Sequence, residues 1–383
     1  MSEPTPIEKT VLVLGSAPEA ERVACELATL GYEVWRAREL ASLQGQVGAF
    51  TAQVVDDGGV ARTLNVAALV VATGNERYYP AEVYGLAPSA TVWPLGRMRA
   101  WLDERIAAEE PLSTGNLTVA MVLDWGGLPT SREMAAEALG VASRLREEQG
   151  AEVYLFYRDL RVDSPGFEAL TRQMRQQGVL FARYGEEARL AAEDDGATIS
   201  YIEGQIRVDL LVLPEAVRPR ADTAWLAQAM KVHLGADGYF EDINIHQVRS
   251  GISNRKGIFF AGRCYMDCPA GEALADALQA AANVDALLGR GYLEPEPVIA
   301  HVDSSKCVRC LTCVRTCPHA AVEVVEYPVG RNGDASAGVV AALVSELACQ
   351  GCGACVGNCP VRAIELVGQA LPAWMQAAPA VSA

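Results

Sequence analysis

The sequence predicts an α/β body followed by a small α+β module at the C-terminal end. Apolar β-branched segments alternate with segments of helical periodicity, which is typical of parallel sheets with crossover helices. This alternation stops at a linker with two prolines, Leu293–Val298. Eight of the eleven cysteines then fall between Cys307 and Cys359. A chain of 383 residues is long enough for two or three such domains.

The first block is a strand–turn–helix–strand unit of the nucleotide-binding type. Thr10–Leu14 is an apolar β-branched run, Pro18–Leu30 has the apolar spacing of a helix, and Glu33–Trp35 is predicted to be the next strand. Two further strand segments follow at Ala52–Asp56 and Ala68–Ala72.

A second α/β block begins near Leu117. Its predicted strands and helices alternate, so its sheet is expected to be parallel. In order, the segments are the strand Thr118–Leu123, the helix Ser131–Gln149, the strand Val153–Tyr157, the helix Phe167–Gln177, the strand Val179–Arg183, Ile199–Ile206 and Asp209–Leu213. A further strand, Gly257–Gly262, leads into a long Ala-rich helix from about Glu272 to Gly289.

The formal net charge of −16 disfavours nucleic-acid backbones and anionic membranes as partners, because like charges repel. It suits a protein that docks on basic partner surfaces. No apolar run approaches the roughly 18–20 residues that a membrane span needs. Met1–Thr10 lacks the basic-then-apolar pattern of a signal peptide. We therefore expect a cytoplasmic protein without a membrane span.

The C-terminal module repeats one cysteine motif with the spacing Cys-x2-Cys-x2-Cys-x3-Cys-Pro. The first copy runs from Cys307 to Pro318 and the second from Cys349 to Pro360. This spacing lets a tight loop offer three thiolates to a [4Fe–4S] cluster, while the fourth cysteine ligates the other cluster. The sequence therefore predicts two clusters. One is assigned to Cys307, Cys310, Cys313 and Cys359, and the other to Cys349, Cys352, Cys355 and Cys317.

Zinc sites and disulfides are the alternative interpretations of these cysteines. Zinc needs only four ligands, and a doubled motif with its prolines fits that chemistry poorly. Disulfides are rare in the cytoplasm. Cys264 and Cys268 are either a redox pair or buried packing thiols, and Cys25 is expected in the core of the first helix. Glu326–Ser336 is predicted to be a hairpin loop.

Several stretches of the body together resemble the A-type family of heterodisulfide reductase subunits. Val153–Tyr184 contains Tyr-Arg-Asp-x-Arg, then Phe-Glu, then Gly-Val-x-Phe-x-Arg-Tyr. Asp209–Leu213, Gly238–Phe240 and Gly257–Gly262 follow in the order of that family. The Ala-rich helix, the Glu-Pro linker and the double cysteine motif complete the resemblance.

The resemblance implies a thioredoxin-reductase-like fold, in which a discontinuous FAD-type domain encloses a second α/β domain. The FAD-type domain would comprise residues 8–112 and 237–292, the inserted domain 113–236, and a ferredoxin-like domain of the bacterial two-cluster type 296–370. The resemblance also implies electron transfer between FAD, clusters and partner subunits. The residues expected at the flavin are Gly15, Ala17, Thr73, Gly74, Gly262 and Ala270.

The phosphate loop departs from the family pattern Gly-x-Gly-x-x-Gly. Ala17 replaces the second glycine, Pro18 removes an N–H donor, and Glu19 places a negative charge where a phosphate would bind. Arg38 lies where an acidic residue for a ribose hydroxyl is expected, and the cluster-binding insert of the relatives is missing.

Three functions remain open from the sequence. The chain could be a flavin- and cluster-bearing redox subunit, or a flavin-free electron conduit that keeps the fold as a docking platform. A stand-alone NAD(P)H-dependent reductase is disfavoured, because Asp124–Pro129 is not a dinucleotide loop. The partners implied are the B and C subunits of a heterodisulfide-reductase-like complex, or a hydrogenase or dehydrogenase module. A homodimer is also implied.

Overall fold

The computed structural model describes residues 4–108, 117–126, 128, 131–243, 250–327 and 339–368. Their contacts divide the chain into two compact units. The first unit draws on Met1–Gly74, Asp222–Tyr265 and Ala275–Ala383, and the second on Asn75–Ala221 and Met266–Leu274. Each unit is therefore assembled from separate stretches of the chain. The domain limits expected from the sequence remain predictions.

The described residues form short strands and helices in close succession. In chain order the strands are β1 (Thr5–Pro6), β2 (Thr10–Leu14), β3 (Glu33–Gln46), β4 (Ala49–Asp56), β5 (Ala61–Val66), β6 (Ala68–Val71), β7 (Glu76–Tyr78), β8 (Val92–Pro94), β9 (Thr118–Val122), β10 (Glu152–Tyr157), β11 (Leu180–Arg183), β12 (Arg189–Glu193), β13 (Gly196–Tyr201), β14 (Gly204–Val208), β15 (Leu210–Leu213), β16 (Ala216–Arg218), β17 (Ile258–Phe260), β18 (Tyr292–Leu293), β19 (Val298–Val302), β20 (Val322–Tyr327), β21 (Val339–Val344) and β22 (Ile364–Gly368). The helices are α1 (Pro18–Thr29), α2 (Ala81–Tyr84), α3 (Leu95–Ala107), α4 (Arg132–Gln149), α5 (Phe167–Gln176), α6 (Thr223–Met230), α7 (Ala270–Leu288), α8 (Thr312–Thr316) and α9 (Ala354–Gly357).

The first unit is built on a six-stranded sheet with the order β17-β6-β2-β3-β4-β5. The strands from β17 to β3 are parallel, and β4 and β5 extend the sheet as an antiparallel meander. All five residues of β2 are buried, as expected for a central strand covered on both faces. Helix α1 buries a stripe at helical spacing, formed by Ala20, Val23, Ala24 and Leu27.

The stripe on α1 corrects one expectation. Cys25 was expected in the core, but it is exposed because it lies off the buried face of the helix. Its thiol instead lies 3.4 Å from Glu21 Oε1. The strand predicted at Glu33–Trp35 is also much longer and continues to Gln46, where it pairs with β4.

The second unit is built on a five-stranded sheet with the order β11-β10-β9-β15-β8, in which all the pairs are parallel. Alternate residues of β9 enter two separate cores. Val119 and Met121 pack with apolar residues of α4, whereas Ala120 and Val122 pack with Phe156. The parallel sheets in the two units confirm the predicted fold class, a thioredoxin-reductase-like body whose sheets are assembled from separated segments.

The C-terminal module is part of the first unit and consists of two similar halves. Each half is a strand, a cysteine loop, a short helix and a strand: β19 to β20, and β21 to β22. The halves interlock, because β19 pairs with β22 and β20 pairs with β21. Most of the loop predicted at Glu326–Ser336 lies outside the described residues. No helix in the described part of the chain is both long and apolar enough to cross a membrane.

Candidate iron–sulfur centres and nucleotide-type loops

The two cysteine loops follow the same backbone course. Residues at three equivalent positions have a left-handed φ: Arg309 (57°) and Gly351 (66°), Leu311 (61°) and Gly353 (75°), and Ala320 (50°) and Arg362 (51°). Glycine adopts this conformation without strain, whereas a residue with a side chain loses about 1–2 kcal/mol. The first loop therefore holds two bulky side chains where the second has glycines.

The eight cysteines of the motifs surround two cavities. Cys307, Cys310, Cys313 and Cys359 line the first cavity. Cys349, Cys352, Cys355 and Cys317 line the second. Three thiols at each cavity come from one motif and the fourth comes from the other motif. Within the described ranges, no three His, Cys, Asp or Glu side chains lie close enough together to ligate a single metal ion.

Backbone N–H groups point at the sulfurs of the interlocked module. Ala321 N donates to Cys317 Sγ at 3.4 Å, and Ala363 N donates to Cys359 Sγ at 3.2 Å. The donor follows the fourth cysteine by four residues in both halves. Such bonds stabilise negative charge on sulfur and tune the potential of a cluster.

The thiols of the motifs differ in acidity. Hydrogen bonds from the Thr312 hydroxyl and backbone lower the pKa of exposed Cys310. Burial raises the pKa of Cys313, and it raises the pKa of Cys355 to about 11. Because a thiolate is the form that ligates metal, Cys310 is the most readily available ligand of the three.

A buried junction joins the second cavity to the rest of the first unit. His319, which lines that cavity, donates from Nδ1 to the carbonyl of Asn254 at 2.8 Å. Asn254 Nδ2 donates back to the carbonyl of Pro318 at 2.5 Å. The Asn254 side chain also accepts from His233 N at 3.0 Å, and the residue is only 4% exposed. This network fixes the Cys317 loop against the body.

Five of the residues predicted at the flavin meet at the carboxyl ends of β2, β6 and β17. They are Gly15, Ala17, Thr73, Gly74 and Gly262. The loops approach so closely that a methyl group on Gly15 would lie 2.2 Å from the Ala72 carbonyl oxygen. Ala17 is the N-cap of α1, and its methyl lies 3.2 Å from where a methyl on Gly74 would be. Thr73 Oγ1 is buried and has no hydrogen-bond partner within the described residues.

Glu19 fills the space in front of Gly262. The residue is 1% exposed, and a methyl on Gly262 would lie 2.5 Å from its Cγ. Its Oε1 pairs with Arg263 at 3.2 Å, and its Oε2 has no hydrogen-bond partner in the described part of the chain. Gly262 N already donates to Asp276 at 2.6 Å. The first turn of α1 and the loop after β17 are thus bridged by a side-chain ion pair.

A second carboxylate occupies the start of α4 in the second unit. Asp267 Oδ2 accepts from Arg132 N at 2.7 Å, and Oδ1 accepts from Glu133 N at 3.1 Å. Oδ1 also accepts from the Ser131 hydroxyl at 2.9 Å. A helix N-terminus attracts anions because its first N–H groups have no partner within the helix. At α4 the chain supplies that anion itself.

Ala270 and the two remaining cysteines lie apart from this loop cluster. Ala270 is the first residue of α7 and is exposed in the second unit. Cys264 and Cys268 are both buried. The Cys264 thiol donates to the Val71 carbonyl at 3.1 Å, and burial raises its pKa. These features favour packing thiols over a reactive pair, since thiolates are the reactive form.

Residues 306–363 match the family model described as a 4Fe-4S dicluster domain. Among solved structures, the thioredoxin reductase of T. acidophilum is similar with 13% identity, 73% of this chain and 99% of that chain covered, and a TM-score of 0.47. The bacillithiol disulfide reductase of Bacillus cereus is similar with 13% identity, 74% and 99% coverage, and a TM-score of 0.45.

Curated relatives resemble about half of the chain. A protein of Archaeoglobus profundus that is described as like the A-type heterodisulfide reductase subunit is 28% identical over 184 residues, which are 46% of this chain and 26% of the relative. The second of the A-type iron-sulfur subunits of the CoB–CoM heterodisulfide reductase of Methanopyrus kandleri is 29% identical over 201 residues, which are 49% of this chain and 30% of the relative. The chain therefore spans less than a third of the length of these two relatives. Its resemblance to A-type subunits of heterodisulfide reductase and its C-terminal domain for two [4Fe–4S] clusters are both confirmed.

Proposed function

We propose that the chain transfers electrons one at a time between protein partners, through two [4Fe–4S] clusters, as one component of a heterodisulfide-reductase-like complex. The observation that carries this proposal is the division of eight thiols into two groups of four around two cavities. Each cluster accepts or donates a single electron, and the interlocked motifs hold the two clusters close together. The module would then act as a conduit.

The ligand sets follow from the same geometry. Cys307, Cys310, Cys313 and Cys359 would hold cluster 1, and Cys349, Cys352, Cys355 and Cys317 would hold cluster 2. The N–H donors on Cys317 and Cys359 support the exchange of the fourth ligand, because they orient each sulfur within its loop.

Iron counting on anaerobically prepared protein tests this assignment. The wild type should contain about eight irons per chain, and Cys352→Ala should lose about four. Cys25→Ala is the matched control, because Cys25 is exposed on α1 and should leave the iron content unchanged. An unchanged count in Cys352→Ala would refute the ligand assignment.

We further propose that electrons pass through this chain without a bound flavin. If FAD bound, Gly15, Ala17, Thr73, Gly74 and Gly262 would hold it, and its isoalloxazine would supply two-electron chemistry. The orphaned hydroxyl of Thr73 suits such a ligand. The buried Glu19 carboxylate does not, because it brings a negative charge to the helix start that a pyrophosphate requires. Pro18 and the occupied N–H of Gly262 remove two further donors.

A flavin-bearing A-type component is the second candidate, and it is favoured by the nucleotide-binding-type sheet of the first unit. Extraction of cofactors followed by flavin chromatography separates the two candidates. The flavin-free conduit predicts iron without flavin, and stoichiometric FAD would exclude it. In both candidates the partners are proteins like the B and C subunits of heterodisulfide reductase, or a hydrogenase or dehydrogenase module, in the cytoplasm. Self-association as a homodimer is also proposed.

A further inference from the structure

The loops around cluster 1 carry the opposite charge to the chain as a whole. The formal net charge is −16, yet residues 304–322 and 347–364 contain no Asp or Glu. They contain Lys306, Arg309, Arg315 and Arg362, which are all exposed. Lys306 is paired with Asp303 at 2.8 Å, whereas the three arginines make no ion pair within the part of the chain that the structure describes. A basic patch therefore interrupts an acidic surface.

These arginines surround the mouth of the first cavity. Arg309 lines that cavity, and the positive charge of Arg315 helps to lower the pKa of Cys310. Arg362 lies between Val361 and Ala363, which both line the cavity. The corresponding loop around cluster 2, from Cys349 to Cys355, has no charged residue. The asymmetry singles out cluster 1.

Exposed apolar side chains lie between the arginines. Val308 is 52% exposed, Leu311 39% and Val361 37%, and all three line the first cavity. We call these three residues together with Arg309, Arg315 and Arg362 the cluster-1 collar. An apolar centre with a charged rim is the usual composition of a protein interface.

Two collar residues are kept in spite of backbone strain. Arg309 and Leu311 have φ values of 57° and 61°, where the second motif has Gly351 and Gly353. Glycine at either position would relieve the strain and preserve the loop. Strained side chains persist where they serve a function, and these two point to recognition because they are exposed.

We infer that the cluster-1 collar is the docking surface for an acidic redox protein. The inference rests on the proposed function. One electron would pass between cluster 1 and a one-electron carrier in the partner, so that one is oxidised as the other is reduced and no bond changes. The net charge of the chain alone favours a basic partner, whereas the collar favours an acidic one. Cluster 2 faces the body through His319 and Asn254, so it is the inner of the two centres.

A redox-inert anion, hexacyanochromate(III), can map the collar by NMR on the iron-loaded chain. This paramagnetic ion should broaden the cysteine β-proton signals of cluster 1, which are those that persist in Cys352→Ala. The variant Arg309→Glu/Arg362→Glu should weaken the broadening at least about tenfold, since local charge sets the concentration of a small ion. The control Arg172→Glu/Arg290→Glu makes the same change in net charge at side chains that are both 71% exposed. It should leave the broadening unchanged.

An acidic [2Fe–2S] ferredoxin serves as the protein probe. Its affinity for the wild-type chain should fall as salt rises, because the collar attracts it, although the net charge predicts repulsion and the opposite trend. Affinity that rises with salt, or equal behaviour of the two double variants, would overturn the inference. Iron is counted first in every sample. A sample with eight irons but no collar effect refutes the docking surface alone, whereas a wild type without eight irons refutes the proposed function.

Discussion

Glu19 is the residue whose replacement tests most directly why the nucleotide-type loop is closed. We predict that Glu19→Ala gives the chain a measurable affinity for FAD. In the wild type the carboxylate is 1% exposed and is paired with Arg263 at 3.2 Å. A pyrophosphate at the start of α1 would lie about 4 Å from it, where two like charges repel by about 4 kcal/mol at an effective dielectric constant of about 20. Removal of the carboxylate should therefore strengthen FAD binding by about a thousandfold.

The assay is a calorimetric titration of iron-loaded protein with FAD under anaerobic conditions. Glu21→Ala is the matched control, because Glu21 lies in the same turn of α1 but its side chain is 59% exposed and pairs with Arg36. Circular dichroism shows whether each variant is folded. The double variant Ala17→Gly/Glu19→Ala removes the adjacent methyl as well. The reasoning is wrong if the wild type binds FAD as tightly as Glu19→Ala, or if the folded double variant binds none.

Three further predictions concern the cluster module and the tyrosines. Asn254→Ala removes the bonds to Pro318 and His233, and at roughly 1 kcal/mol each it should speed hydrogen exchange in the Cys317 loop and perturb the EPR signal of cluster 2; Asn358→Ala, which removes an exposed bond to Ala354 O, is the control, and equal effects of both would contradict the junction. Gly353→Leu should hasten the loss of absorbance near 410 nm in the presence of a chelator, because a left-handed residue with a side chain loses about 1–2 kcal/mol, whereas Leu311→Gly should slow it; the reverse order would exclude backbone strain as the cause. Burial raises the pKa of Tyr79 to about 12, and a hydrogen bond to Glu152 raises the pKa of Tyr154 to about 12. Because the folded pKa lies above the unfolded one, their stabilisation is complete below about pH 10 and is lost as pH rises toward 12. Tyrosinate absorbance at 295 nm and circular dichroism should change together in that window, and ionisation near pH 10 without unfolding would contradict this prediction.

The sequence predicted those parts of the fold that depend on local patterns. Strand β2 and helix α1 were predictable because an unbroken apolar run and a 3.6-residue period are both local signals. Cys25 shows the limit of this reasoning, since an apolar residue inside an amphipathic helix can lie just outside its buried stripe. The extension of β3 to Gln46 was not predicted because its pairing with β4, rather than its own polar sequence, stabilises it.

The site was predictable where spacing alone encodes chemistry. The cysteine motifs gave two groups of four ligands before any coordinates were considered, and those assignments stay predictions. The sequence also indicated that Glu19 opposes a phosphate. Its partner Arg263 lies 244 residues further along the chain, so only the fold could bring the two together. The Asp267 cap on α4 was missed for the same reason, because 135 residues separate it from Arg132.

The cap formed by Asp267 has a consequence for how this chain can be regulated. A carboxylate that is tethered to its own backbone is present at a high and constant effective concentration, whatever the cell contains. A dissociable nucleotide at the same helix start would bind and leave as its supply changes. With an internal anion in that place, the order of the second unit is insensitive to the level of any such metabolite. Control over electron flow would then have to act on the encounter between protein surfaces.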